Sequence, residues 1–287
     1  MTRSSNPRTR RLRALTGATV VAASIIAAMP LAAQAAEVSV PCSETELVLA
    51  INNANAQPGS DTLNLAAGCT YLLTSSHGDA GNGPVGLPVI TSTIALVGTP
   101  NTISRSSLAL FRIAEVSNAG NLTLTRVTLN NGNTLGSGGG VLNRGAVTFT
   151  SAGSGLTNNL AAGTGGGLSN SDTPSGTAPA ATFSGATVLG NAAGGSGGGI
   201  YNGNRDALTM TSSVVTSNIS LGQGGGIAAI TSTTSLTTTP ISVNTAVLGA
   251  GGVFRSGGTM TTTNAPISAN ISNNCVGSSP AVPNCTF

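Results

Sequence analysis

The chain contains no tryptophan and no lysine, a single histidine (His77), and aromatic residues at only 2% of its 287 positions. Each shortage removes a class of function. Nucleic-acid binding needs a basic stripe with aromatic platforms, and the sequence offers neither. One histidine and no C-x-x-C spacing exclude a zinc site. Between Asn118 and Phe287 the only acids are Asp172 and Asp206. That is too few for the carboxylate clusters that lyases use to hold calcium or that glycosidases set face to face. The glycine runs lack the G-K-[ST] ending of a phosphate loop, and no aspartate follows them as in calcium-binding nonapeptides. Low charge and 40 glycines also suit a disordered chain, but regularly spaced Val, Ile and Leu argue for burial.

What charge there is sits unevenly. Residues 1–13 carry five arginines and no acid, an apolar stretch runs from Ala14 to Ala33, and Ala33-Gln34-Ala35 follows. This order predicts a signal peptide over residues 1–35. Pro30 and the small residues argue against a membrane anchor, and Arg10-Arg11 leave a twin-arginine route open. The remainder holds six arginines against eight acids, a net charge of −2, whereas the whole chain is +3. The basic character therefore belongs to the targeting segment. Four cysteines in an exported chain predict two disulfides. Of three possible connectivities, their positions favour Cys42–Cys69 and Cys275–Cys285, one at each end of the mature chain.

The abundant residues are organised by a repeat. Gly138-Gly139-Gly140-Val141 recurs as Gly165-Gly166-Gly167-Leu168, Gly197-Gly198-Gly199-Ile200 and Gly224-Gly225-Gly226-Ile227, then decays to Gly251-Gly252-Val253. The closing apolar residues are spaced 27, 32, 27 and 26 apart. A second marker, apolar-x-x-Asn, keeps step: Leu156/Asn159, Val188/Asn191, Val215/Asn218, Ile241/Asn244 and Ile267/Asn270. The long interval contains the Pro/Gly/Ser stretch Ser171 to Ala180, which reads as an inserted loop. Short runs such as Val147-Thr-Phe-Thr alternate with period two, as half-buried strands do. Glycine at this density excludes helical repeats, and the period is too short for a propeller blade. What remains is a parallel β-helix of three-strand coils of about 26–27 residues, stacked about 4.8 Å apart into a rod near 40 Å long.

The G-G-G-[ILV] and apolar-x-x-Asn markers are similar to the G-G-A-[ILV] and F-x-x-N repeats of polymorphic outer membrane protein β-helices. The stretch Cys42–Asn55, followed by Gly68–Thr74, resembles the start of pectate-lyase-like β-helix proteins secreted by actinobacteria. The resemblance implies a right-handed coil and a fold that hosts enzymes and binders alike. The outer-membrane family also carries a C-terminal barrel, whereas Ser278–Thr286 holds two prolines and a cysteine in place of alternating strand residues.

The expected organisation is a signal peptide (1–35), an N-terminal cap and first coils (36–121), glycine-rich β-helix repeats (122–274) and a C-terminal disulfide cap (275–287). Ser43-x-x-Glu46 predicts a capping box opening a helix with Leu47, Ile51 and Ala54 on its apolar face, placed to cover the open first coil. The pairs Thr123/Thr125, Thr148/Thr150, Thr182/Ser184, Thr209/Thr211, Thr237/Thr239 and Thr261/Thr263 occupy the strand phase opposite the core, which predicts two hydroxyl columns on a flat face. Ice-binding β-solenoids are similar in using T-x-T arrays, although threonine suits any solvated strand. Arg144, Asp172, Arg205, Asp206 and Arg255 are the remaining polar candidates, the arginines at comparable offsets after their glycine runs. Asp61, Asp79, His77 and Glu115 form the other titratable group. No catalytic residue, metal or cofactor is expected. The expectation is a secreted, non-enzymatic, monomeric rod with a structural or adhesin-like role toward polysaccharide or a cell surface. A polysaccharide lyase or glycoside hydrolase is the first alternative, and ice binding the second.

Overall fold

The computed structural model describes residues 1–2, 36–171 and 178–286; the targeting segment 3–35, the loop residues 172–177 with Asp172, and Phe287 lie outside the described residues. The chain from Ala36 winds into a parallel β-solenoid of about eight turns. Every named strand pairing is parallel. Four ladders run along the rod. Ladder A stacks Ala146–Thr150, Ala180–Ser184, Ala207–Thr211, Thr233–Thr237 and Thr259–Thr263, and reaches back through Asn121–Asn130 and Thr93–Arg105 to Ser60–Leu65 and Glu37–Val40. Ladder B stacks Gly155–Thr157, Thr187–Leu189, Val214–Thr216, Ile241–Ser242 and Ile267–Ser268. Ladder D runs from Ala114–Val116 to Val253–Ser256. These are the three strands per coil that the sequence predicts. A two-residue strand adds ladder C between B and the glycine run, from Asn133–Thr134 to Thr245–Ala246.

The alternation read in the sequence becomes inside and outside. In Ala146–Thr150, Val147 and Phe149 are buried while Thr148 faces out. Phe149 stacks on Phe183 of the next coil, with centroids 4.7 Å apart and rings nearly parallel. Leu156, Val188, Val215, Ile241 and Ile267 fill the ladder B side of the core; Val141, Leu168, Ile200, Ile227 and Val253 fill the ladder D side. No coil closes a core alone, so each buries its apolar residues only against its neighbours.

The glycine runs make the corner between ladders C and D. The first glycine of each three-glycine run takes a left-handed conformation, at φ +69° for Gly138 and +72° for Gly197, where a Cβ is strained. The second lies where coils nearly touch: a Cβ on Gly198 would sit 2.4 Å from the carbonyl oxygens of Gly225 and Ile219. Two separate constraints therefore demand glycine at adjacent positions.

The asparagines of the second marker are buried and joined along the rod. Asn191 donates its backbone N–H and its side-chain N–H to Asn218 Oδ1, both at 2.9 Å. Asn159 does the same to Asn191, and Asn218 to Asn244. Each amide also donates back to the carbonyl of the preceding apolar strand, as Asn218 does to Val188 at 3.0 Å. Each of these asparagines follows a residue in the left-handed conformation, at Asn158, Gly190, Ser217, Val243 and Ala269. Even the β-branched Val243 adopts it, because the amide ladder fixes the corner. A second amide column, Asn143–Asn170–Asn202, runs along ladder D, with bonds of 2.7 and 2.8 Å. Its signal is an asparagine two residues after the closing aliphatic of the first three glycine runs; Ala229 and Arg255 take the place in the last two.

Both ends are closed. Cys42 is bonded to Cys69 and Cys275 to Cys285, as their positions suggested. The helix α1 (Glu44–Ala56) buries Leu47, Ala50, Ile51 and Ala54 over the first coils. Ser43 is its N-cap, but the capping box does not form: Ser43 makes no side-chain cap bond and Glu46 is exposed. Glu44 does the anchoring. Its carboxylate accepts from Thr74 N at 2.9 Å, Thr74 Oγ1 at 2.6 Å and Ser75 N at 3.3 Å, and lies 2.8 Å from His77 Nε2. Burial alone would raise its pKa; the bonds from Thr74, His77 and Ser75 outweigh burial and hold it below its ordinary 4.5. A depressed carboxylate contributes stability that is present above the ordinary value and lost as pH falls through the folded one. The melting temperature is therefore expected to drop as pH falls from the ordinary carboxylate value of 4.5 through the lower folded one, and Glu44→Gln to flatten that drop, as thermal scans across the acid range would show. An unchanged slope in the variant would refute the assignment.

Candidate functional site

Ladder A presents the hydroxyl face. Thr123, Thr148, Thr182, Thr209, Ser235 and Thr261 stand in one column in continuous register. Thr125, Thr150, Ser184, Thr211, Thr237 and Thr263 form the second. All twelve side chains are half-buried or exposed, and alternate with core residues. One rung differs from the sequence reading: the fifth pair is Ser235/Thr237, not Thr237/Thr239. Thr239 is fully buried past the corner, where its hydroxyl donates to Thr237 O at 2.9 Å. A T-x-T-x-T run has two possible phases, and the turn at Thr238, at φ +48°, selects one.

Hydroxyls link neighbouring coils at Thr125/Thr150 (3.2 Å) and Thr261/Ser235 (3.3 Å). Coils lie about 4.8 Å apart and alternate residues about 6.7 Å apart along a strand, so the face is a two-column grid of hydroxyl and methyl groups. The twelve grid positions carry no charged residue.

The charged candidates do not assemble on one site. Arg144 donates to Asn82 Oδ1. Arg205 is exposed, in a left-handed turn at φ +64°. Arg255 is largely buried and donates to the carbonyls of Gly257, Gly258 and Ala281, fastening the C-terminal cap. Register aligns Arg255 with Ala229 and, through it, Asn202, Asn170 and Asn143, one residue off Arg144. Asp206 is fully buried beside Tyr201, whose phenol is pushed up by burial and then by the Asp206 charge. Among the described residues, no group of three His, Cys, Asp or Glu gathers in metal-binding range.

Two features escaped the sequence. Arg112 and Glu115 form a fully buried ion pair at 3.1 Å. Arg112 also donates to the carbonyls of Asn82, Gly83 and Ser137, and Asn82 Nδ2 donates to Glu115 Oε1 at 2.7 Å. Burial lowers the Arg112 pKa, and Glu115 opposes that shift. The i,i+3 spacing was visible, but only the fold turns both side chains inward. The second feature is an apolar corner on ladder C. Leu135, Leu160, Ile219 and Leu221 are exposed around a cleft of about 380 Å³.

These observations define a disulfide-closed parallel β-helix with an outward hydroxyl grid. No protein-family model and no curated protein matches the chain. The resemblance to pectate-lyase-like proteins and to polymorphic outer membrane protein repeats thus extends to the β-helix fold and finds no support in a family match. Two disulfides accord with an oxidising, extracellular environment, and among the described residues no helix is long and apolar enough to cross a membrane.

Proposed function

We propose that the protein is an exported, non-catalytic rod that attaches to an extended extracellular surface through the ladder A face, with polysaccharide or another cell-surface polymer as ligand. The observation that supports this reading is the six-rung, in-register hydroxyl grid. A repeating surface suits a repeating ligand, because each rung adds a weak contact at low extra ordering cost. The charged groups best placed for chemistry already serve the scaffold: Arg112 with Glu115, Arg255 in the C-terminal cap, Glu44 in the N-terminal one. The lyase or hydrolase alternative has no comparable support. Ice binding has a specific observation in its favour, the paired T-x-T columns with methyls beside hydroxyls, and stands as the second reading.

The test replaces Thr209 and Thr211, mid-face, with lysine. Sedimentation with insoluble cellulose, chitin and cell-wall fractions is expected to show binding by the native protein and at least tenfold weaker binding by the variant, a loss of about 1.4 kcal/mol. Ice-recrystallisation inhibition abolished by the same variant would select the second reading. Equal behaviour of the two proteins in both assays would reject the face as the site.

A further inference from the structure

Asp61 stands where an acid is out of place. It occupies the inward phase of Ser60–Leu65, and its register column continues as Ile94, Leu122, Val147, Ala181 and Leu208. Only 3% of its surface is exposed. Oδ1 accepts a hydrogen bond from Ala36 N at 3.0 Å, while Oδ2 is buried with no hydrogen-bond partner. Among the described residues no arginine or histidine forms an ion pair with it. A buried carboxylate with a single amide donor is costly, since its charge is neither solvated nor compensated.

The missing charge has a source one residue from the expected cleavage point. Hydrolysis of the Ala35–Ala36 bond consumes one water, leaves a carboxylate on Ala35 and converts the Ala36 amide into an α-ammonium. An amide nitrogen offers one hydrogen; an ammonium offers three and a positive charge. Ala36 is held in position independently, because its carbonyl accepts from Thr62 N at 2.8 Å and Glu37–Val40 continues the ladder along Thr62–Leu65. A small cavity of about 80 Å³ adjoins the pair, lined by Ala36, Ala50, Asn53, Gln57 and Asp61 among others.

We propose that Asp61 is the docking site for the protein's own newly formed N-terminus: removal of the targeting segment after Ala35 supplies the α-ammonium of Ala36 as counter-ion to both Asp61 oxygens. Maturation then completes the first coil, and the exported rod is more stable than any form extended at that end. The inference rests on the export reading.

Two measurements separate the pairing from that reading. The intact mass of the protein collected from the medium of a secreting host is expected to begin at Ala36. A different mature start, or retention of residues 1–35, overturns the pairing, and confinement of the protein to the cells overturns export as well. A thermal-melting cycle then compares native protein with a form bearing one glycine ahead of Ala36, each with Asp61 or Asp61→Asn. The extension is expected to lower the melting temperature by about 5 °C with Asp61 present and by less than about 1 °C with asparagine. Equal shifts in both backgrounds overturn the pairing while leaving export intact. The extension leaves every side chain of the fold unchanged, so the comparison survives if Asp61→Asn itself folds poorly: no shift in the Asp61 background is then sufficient to reject the proposal.

Discussion

Asn218→Ala is expected to destabilise the rod by about 4 kcal/mol, because an interior member of the amide ladder serves four partners at once and each buried group left unpaired costs about 1–3 kcal/mol. Its Oδ1 accepts from both nitrogens of Asn191, and its Nδ2 donates to Asn244 Oδ1 and is shared between Val188 O and Thr216 O. Alanine keeps the Asn218 backbone donor to Asn244 but removes the acceptor of the Asn191 amide and a donor to the Val188 carbonyl in a fully buried corner. Guanidinium unfolding measures the loss, and hydrogen exchange locates it. The Asn191 amide is expected to lose protection while those of the first coils keep theirs, since stability in a solenoid is a sum of neighbour terms. An alanine at exposed Asn204 provides the control, expected to stay within about 0.5 kcal/mol. A loss at Asn218 below about 1 kcal/mol would mean that the ladder amides find water as a substitute.

Glu115→Ala is expected to cost about 3–5 kcal/mol, the range for breaking a buried ion pair from one side. The alanine removes the carboxylate paired with the Arg112 guanidinium, which is then left with the like charge of Arg144 and the opposite charge of Asp79. The damage is expected to centre on the 78–90 stretch, because Asn82 and Gly83 are held there by Arg112 and Asn82 is also held by Glu115. Limited proteolysis of the variant is expected to cut first in that stretch. Glu115→Gln keeps an acceptor for Asn82 or Arg112 and is expected to lose about half as much. Near-native stability of Glu115→Ala would show that the pair is solvated in solution.

Both effects concern residues of different visibility in the sequence. Asn218 announced itself through a period shared with the glycine runs. Any residue whose role repeats in every coil leaves such a trace, which is why the fold, the corner glycines, the core aliphatics and most of the hydroxyl columns could be read in advance. Arg112, Glu115, Glu44 and Asp61 each occur once, at or near the irregular first coils, and a single occurrence has no period to betray it. The error at Thr237/Thr239 has the same origin in miniature: alternation fixes which residues share a face, but the corner at Thr238 fixes where one face stops.

The sequence by itself determined that this chain is a stack of glycine-cornered β coils, closed by two disulfides, with little machinery for acid–base chemistry in its repeats. Those features follow from spacing and composition, which act locally and recur. The tertiary structure decided which single residues became internal counter-ions, that Glu44 and not the Ser43 box anchors the cap, and that Ser235 and not Thr239 completes the hydroxyl face. Those outcomes depend on which side chains the coil-to-coil register brings within a few ångströms, and on how much water the neighbours leave around them.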